Sequence, residues 1–329
     1  MSMRIADLTF DPAVMLAPMS GVSDQPFRRT VRNFGADLVI SEMIASDAVL
    51  RAVRSEIRKM STDCAGEFPM AVQLAGRDPK LMAEAARINE DRGAAIIDIN
   101  FGCPARKVTN KVCGSALMRD EKLAGEIMTA VVEAVSIPVT MKMRTGWDGK
   151  SRNAPQLARI AEEAGIQMVT VHGRTRCQFF KDRADWSFIR QVKNAVQIPV
   201  IANGDIKSPQ DAAECLRLSG ADGVMIGRAA EGRPWLIHQI KQYLETDKII
   251  PNPSAERVKS TVLEHYADML SHYGVSTGLR IARKHLCWYV RGFQDAAELR
   301  AKLGREENPD TVIALLKIFF NKQLELAAA

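Results

Sequence analysis

The chain has 329 residues, 47% of them hydrophobic and 26% charged, and 45 basic against 39 acidic side chains leave a net charge of +6. That balance belongs to a folded globular protein of one large domain or two unequal ones, and excludes a disordered tail or a collagen-like repeat. No apolar run approaches the roughly eighteen residues of a membrane helix, and Met1–Phe10 lacks the apolar stretch of a signal peptide. Six cysteines, at 64, 103, 113, 177, 215 and 287, form no Cys-x-x-Cys pair and no cluster with His at metal spacing. Neither a disulfide framework nor a metal site is expected, and the reducing cytoplasm is the expected setting.

From the N-terminus, short apolar runs recur at 14–19, 37–43, 68–76, 94–102, 137–146, 168–175, 198–205 and 222–229. Their starts lie about 25–40 residues apart, the length of a strand plus a crossover helix. Their Val, Ile, Leu and Met content suits parallel strands buried on both faces. Asp78-Pro79 and Ser208-Pro209 open helices with proline in the first turn, and Gly93, Gly165 and Gly220 sit where helices would end. Eight such units predict a (β/α)8 TIM barrel over residues 1–245, although a doubly wound sheet has similar alternation. The barrel is favoured because Gln73, Asn100, Lys142, His172, Asn203 and Asp205 sit at or near the C-terminal ends of separate runs, where a barrel keeps its active face.

After about Gly232 the pattern turns all-helical, with helices expected over 234–246, 255–273, 277–292 and 309–327 and a linker marked by Pro251 and Pro253. Residues 255–329 are therefore expected to form a C-terminal all-helical domain. Arg280, Arg283, Lys284 and Arg291 fall on one helical face, while Ile281, Leu286 and Trp288 can pack inward.

The positive excess is local. Segments 104–111, 144–152 and 174–183 together carry +8, leaving −2 for the remainder. They follow the fourth, fifth and sixth runs, so they read either as solvated loop charges or as the footprint of an anionic partner. The loops after the seventh and eighth runs, Asn203-Gly204-Asp205 and Gly227-Arg228, occupy a barrel's usual phosphate site, where glycine lets the backbone approach and Arg228 adds fixed charge. Lys142 alternates with Thr140 and so points inward, where burial calls for an anion; a lysine snorkelling from the strand end is the alternative. Taken alone, Cys103 reads as an inert small hydrophobe and His172 as a satisfied structural group.

Six segments change that balance: APMSGVSDQPFR (17–28), INFGCPARKV (99–108), MKMRTGWD (141–148), VHGRTR (171–176), ANGDI (202–206) and MIGRA (225–229). In this ordered set the chain resembles the bacterial tRNA-dihydrouridine synthases and is most similar to their B-type subgroup. The resemblance implies an FMN-binding barrel followed by a helical tRNA-binding domain, in an enzyme that reduces the C5–C6 double bond of selected D-loop uridines in tRNA. NADPH, or NADH, is the implied electron donor. Lys142 is then expected at the anionic edge of the reduced flavin and Gln73 along its pyrimidine edge, with Ala17, Pro18 and Met19 beside the ring. His172 would bond cofactor or substrate, and Asn203, Gly204, Asp205, Gly227 and Arg228 would hold the phosphate.

Cys103 becomes the proton donor to C5, opposite the hydride at C6, provided the thiol keeps its proton at working pH. Gly102 and Pro104 would shape its turn, and Cys113 nearby is expected to be structural. Asn100 has the donor and acceptor to read uracil. Arg106, Lys107, Arg144, Arg174 and Arg176 on the rim, with Arg280, Arg283, Lys284 and Arg291 on the helices, are expected to grip tRNA phosphates around an extruded uridine. Shape would supply the specificity. No membrane contact and no obligate protein partner is expected. One departure from the family pattern is RGFQDAAELR at 291–300, where many relatives turn at Pro-Gly. Two other readings stay open: an FMN barrel acting on a free pyrimidine, like dihydroorotate dehydrogenase, and a non-redox phosphate-binding barrel or RNA-binding scaffold. The first leaves the basic rim and the helical domain without a purpose.

Overall fold

A computed structural model of the chain describes residues 2–50 and 67–328; Cys64 lies outside the described residues. Parallel strands Ala13–Leu16, Val39–Ile40 continued by Ile44–Ala45, Met70–Ala75, Ile96–Phe101, Val139–Arg144, Met168–His172, Val200–Asn203 and Gly223–Ile226 follow one another around a ring. The last pairs with the first in parallel register, Gly223 opposite Ala13 and Ile226 opposite Leu16, so the sheet closes without an edge. Each expected apolar run contributes one of these barrel positions.

Alternation along the strands sorts side chains into two cores. Val14, Val72, Ile97, Met141, Val169 and Val224 face outward under the helices. Met15, Ile40, Ala71, Ile96, Met168, Ile201 and Met225 face inward and pack together with Met3, Ile5 and Phe10. Those three belong to a short hairpin, Met3–Ile5 paired antiparallel with Leu8–Phe10, which sequence reading did not anticipate and which closes the N-terminal end of the barrel. Further along the strands the inward positions turn polar: Gln73, Asp98, Asn100, Thr140, Lys142, Thr170 and Asn203. The barrel is thus dry and apolar at one end and polar at the other, and the site lies at the polar end.

Local signals explain the helices around it. The Asp78 carboxylate accepts from the N–H groups of Lys80 and Leu81 at 2.9 and 3.1 Å and opens helix Pro79–Asp91. Ser208 caps helix Pro209–Ser219 through the Asp211 N–H, and Gly220 ends it at φ 65°, a left-handed conformation suited to glycine.

After helix Leu236–Thr246, whose Leu236, Ile237 and Ile240 pack in the barrel's outer core, the C-terminal region holds helices Ala255–Tyr273, Val275–Tyr289, Ala296–Leu303 and Pro309–Ala328. Val258, Val262, Tyr266, Met269, Leu286, Leu316 and Phe320 form its own apolar core. It rests on barrel helix Gln25–Arg32 through the Arg29–Asp268 ion pair at 3.1 Å and a hydrogen bond from the Tyr273 hydroxyl to Asp24 at 3.0 Å. One expectation is corrected here. The basic helix ends at Tyr289, so Arg291 lies beyond it and shares no helical face with Arg280. Helix Ala296–Leu303, which sequence reading did not anticipate, begins within the segment 291–300 that departs from the family pattern.

Candidate active site

A cleft of about 1980 Å³ opens at the polar end of the barrel and runs on to Trp288, Arg291 and Phe293 of the helical region. Ala17, Pro18, Met19, Gln73, Lys142, His172, Asn203, Gly204, Asp205, Gly227 and Arg228 all line it, together with Cys103, Asn100, Lys107, Arg144 and Arg174. The expected cofactor set is therefore gathered in one place. Arg106, Arg176, Arg280, Arg283 and Lys284 are not among its walls.

The floor is one connected hydrogen-bond network. Gln73, Asp98 and Thr140 sit side by side on three adjacent strands. The Asp98 carboxylate, fully buried, accepts from Gln73 Nε2 and from the Thr140 hydroxyl, each at 2.7 Å. Gln73 Oε1 accepts from Asn100 Nδ2 at 2.7 Å, and Asn100 Oδ1 accepts from the backbone N–H groups of Gly102 and Cys103 at 3.1 and 2.9 Å. The acceptor of Asn100 is thus spent on the turn that carries Cys103, which revises its expected role in reading uracil. The Cys103 carbonyl is fixed as well, by the N–H and hydroxyl of Ser115. The thiol itself is half-buried beside the cleft.

Lys142 rises from the neighbouring strand, directly opposite Asn100, and its Nζ donates to Asn203 Oδ1 at 3.2 Å. Burial, reinforced by the nearby Arg144 charge and opposed by Asp98, lowers its pKa to about 8. Burial raises the Asp98 pKa, against the pull of Gln73, Thr140 and Lys142. A lysine held by a neutral amide, with no carboxylate in ion-pair contact among the described residues, is a cation awaiting an anion.

Arg144 and Arg174 depart from expectation. Both are buried, at 1% and 2% exposure, and both face inward onto protein carbonyls, so neither is a rim cation for phosphate. Arg144 donates to Gly102 O at 2.8 Å, Thr175 O at 2.9 Å and Phe179 O at 2.8 Å, clipping the Cys103 turn to the loop after the sixth barrel strand. Arg174 bridges Lys181 O, Asp182 O and the Asp205 carboxylate, the last at 2.6 Å. Asp205 also accepts from Ala184 N at 2.8 Å. Burial alone would raise its pKa, but these partners outweigh it and hold the carboxyl below the usual range. Asp205 therefore anchors a loop instead of facing a phosphate.

His172 lies 3.2 Å from Arg174 Nη1 through its Nε2. Its depth in the barrel mouth, then the charges of Lys142, Arg144, Arg174 and Arg228, push its pKa well below the usual value, so the ring is neutral. Gly204 has φ +113°, and a Cβ there would come within 2.8 Å of the His172 ring and 2.9 Å of Ala184. Glycine is required at this position by close packing against His172. At Gly227 the nearest atoms a Cβ would meet, Ala17 Cβ and Met19 Sδ, are 3.8 Å away, so this backbone is open toward the cleft.

The other cations differ in exposure. Arg106, Lys107, Arg228, Arg280 and Arg291 are exposed. Arg176 is half-buried between the rings of Trp147 and Phe179, 4.5 and 4.9 Å from their centroids. Arg283 is tied to Glu306 O at 3.0 Å inside the helical region, whereas Lys284 reaches the Gly21 carbonyl and so helps dock that region on the barrel. Sequence reasoning missed Asp98, although the alternation that turns Asn100 inward turns Asp98 inward too. It also missed the exposed Phe180, whose ring lies 4.9 Å from the Arg228 guanidinium.

Comparison with known proteins gives this geometry a family. The profile of the dihydrouridine synthase family matches residues 15–325. The chain is 55% identical over 309 residues to a probable tRNA-dihydrouridine synthase of Rickettsia bellii, covering 94% of this chain and 95% of that protein. It is 50% identical to tRNA-dihydrouridine synthase B of Xanthomonas axonopodis pv. citri, covering 97% and 96%, and 47% identical to the protein of that name from Pseudomonas aeruginosa, covering 96% and 95%. Neither the dihydroorotate dehydrogenase-like reading nor the non-redox scaffold stands against similarity of that extent. The chain, an oxidoreductase built on a closed barrel with Cys103 at its mouth, belongs to the dihydrouridine synthase family.

Proposed function

We propose that this protein reduces the C5–C6 double bond of uridine in tRNA to 5,6-dihydrouridine, with FMN bound in the barrel mouth and NADPH as its electron source. The observation that carries the reading is Cys103, held on a hydrogen-bonded turn at the edge of the cleft that Lys142 and His172 also line. Three features of the cleft suit a flavin. Lys142 offers an uncompensated positive charge to the anionic ring edge. The open backbone at Gly227 and the exposed Arg228 suit a phosphate. Ala17, Pro18 and Met19 form a wall for the ring.

Bound FMN supplies hydride for C6 of the uracil. Cys103 delivers the proton to C5 from the other side, and its thiolate takes a proton back from solvent. His172, being neutral, donates or accepts a hydrogen bond at the ring without competing for that proton. Lys142 stays cationic below about pH 8. The names of the relatives specify tRNA as substrate, and the exposed Lys107, Arg228 and Arg291 line the continuous path from cleft to helical region that an RNA backbone requires. On this reading residues 1–245 do the chemistry and 255–329 dock the tRNA.

The test is an anaerobic single turnover. The protein is reduced with NADPH, mixed with unmodified tRNA transcript, and the flavin absorbance is followed while dihydrouridine is assayed. Return of the oxidised bands with product formation supports the proposal; a flavin that stays reduced refutes it. Cys103→Ala should keep the yellow colour and lose uridine reduction by about a hundredfold or more, the span of general acid catalysis.

A further inference from the structure

Asp98 does not itself line the cleft, yet through Gln73 it terminates the chain of hydrogen bonds that ends at Cys103. Every link runs in one direction. The backbone N–H of Cys103 donates to Asn100 Oδ1, Asn100 Nδ2 donates to Gln73 Oε1, and Gln73 Nε2 donates to Asp98 Oδ2. The two amides between the ends could each be turned over, exchanging donor for acceptor. The ends cannot. Backbone N–H groups only donate, and the Asp98 oxygen that meets Gln73 accepts whether the carboxyl is ionised or turns a proton toward the Thr140 hydroxyl.

We propose that Asp98 is a positioning residue: as the acceptor-only terminus of this chain it fixes which way the Gln73 and Asn100 amides face, and thereby holds the Gly102–Cys103 turn. If the terminus became a donor, Gln73 would present its oxygen to position 98 and its N–H groups to Asn100. Asn100 would then turn its own N–H groups onto the N–H groups of Gly102 and Cys103, donor against donor. The fully buried position of Asp98 leaves no water to relieve that conflict. The same polarity decides what the floor shows the cleft. With Oε1 and one N–H of Gln73 engaged, the remaining amide hydrogen is its outward-facing group, so the floor presents a donor at this point.

Asparagine and leucine separate polarity from charge at position 98. Asp98→Asn can keep its oxygen on Gln73 while its N–H groups face Thr140, whose hydroxyl rotates to accept. Asp98→Leu removes the acceptor altogether. Amide hydrogen exchange of the segment 99–105, read by mass spectrometry on the protein without substrate, reports the turn directly. The leucine variant should exchange the Gly102 and Cys103 amides about tenfold faster or more, with the strand 96–101 ladder unchanged, and asparagine should restore wild-type protection. Uridine reduction by the prereduced protein should follow the same order, while reduction of the flavin by NADPH is retained.

Equal protection in the leucine variant overturns the proposal. So does an asparagine variant that behaves like leucine, because charge acting on Lys142 would then be the operative property. If Asp98→Leu does not fold, Gln73→Met, which removes the middle link at similar length, must loosen the same two amides, and unchanged protection there refutes the chain. The link to chemistry rests on the role proposed for Cys103. Should Cys103→Ala turn over normally, that role fails while the exchange result still decides the polarity argument.

Discussion

Replacing Arg144 with methionine removes three carbonyl contacts at once. Its guanidinium, 1% exposed, spans Gly102 O, Thr175 O and Phe179 O at 2.8, 2.9 and 2.8 Å, so one side chain joins the turn of Cys103 to the following strand's loop. Hydrogen bonds from a charged donor contribute about 1.5–3 kcal/mol each, and taking the lower figure with partial rehydration of the freed carbonyls gives a loss of about 4 kcal/mol. For a chain of 329 residues, with an unfolding entropy of about 0.7 kcal/mol/K, that lowers Tm by about 6 °C. Lysine at 144 should recover part of it, since a single ammonium cannot fan across three carbonyls. Thermal unfolding gives the first number, and single-turnover uridine reduction the second, which should fall about tenfold as the two loops separate. A Tm within about 1 °C of wild type together with unchanged turnover would refute the clip.

Gly204→Ala should destabilise by about 1–3 kcal/mol, through the left-handed φ and the 2.8 Å approach to the His172 ring, and should perturb flavin affinity; an unchanged Tm would show that the ring can move aside. Uridine reduction should decline as pH rises through about 8, where Lys142 loses its proton, so a flat rate between pH 7 and 9.5 would separate Lys142 from the reaction. Asp24, whose pKa burial raises to about 6 against its bonds to Phe27 N and Tyr273, is more protonated folded than unfolded over the interval from its ordinary 3.8 upward. Its stabilising contribution is therefore present at low pH and lost as pH climbs to about 6, a change of about 3 kcal/mol. Asp24→Asn should accordingly gain on wild type between pH 4 and 7; a Tm difference constant over that range would count against this assignment.

Barrel strands were legible in the sequence because each is buried on both faces and shows a near-continuous apolar run, as at Val14–Leu16 or Val224–Ile226. The three-residue strands Met3–Ile5 and Leu8–Phe10 were not, since three residues are too few to display a period. Lys142, Gln73 and Cys103 were found from strand-end position and motif. Arg144 and Arg174 were misread because a sequence gives the charge of a loop residue but not the path of the loop. Here the chain folds back over both guanidinium groups and supplies them with carbonyls. Asp98 went unremarked for a related reason: a carboxylate deep in a barrel makes sense only once its two donors, 25 and 42 residues away in sequence, are seen beside it.

Among the described residues, Met3, Ile5 and Phe10 of the hairpin plug the N-terminal end of the barrel, and the polar floor opens at the mouth. On the proposed reaction, a dinucleotide reductant and a folded RNA must then use the same doorway, and each is large enough to fill it. They call in succession, and the electrons delivered by the first visitor have to wait inside for the second. A resident redox group is what a one-door reductase needs, and the time reducing equivalents spend waiting is the interval in which oxygen, small enough to enter at any moment, can take them instead.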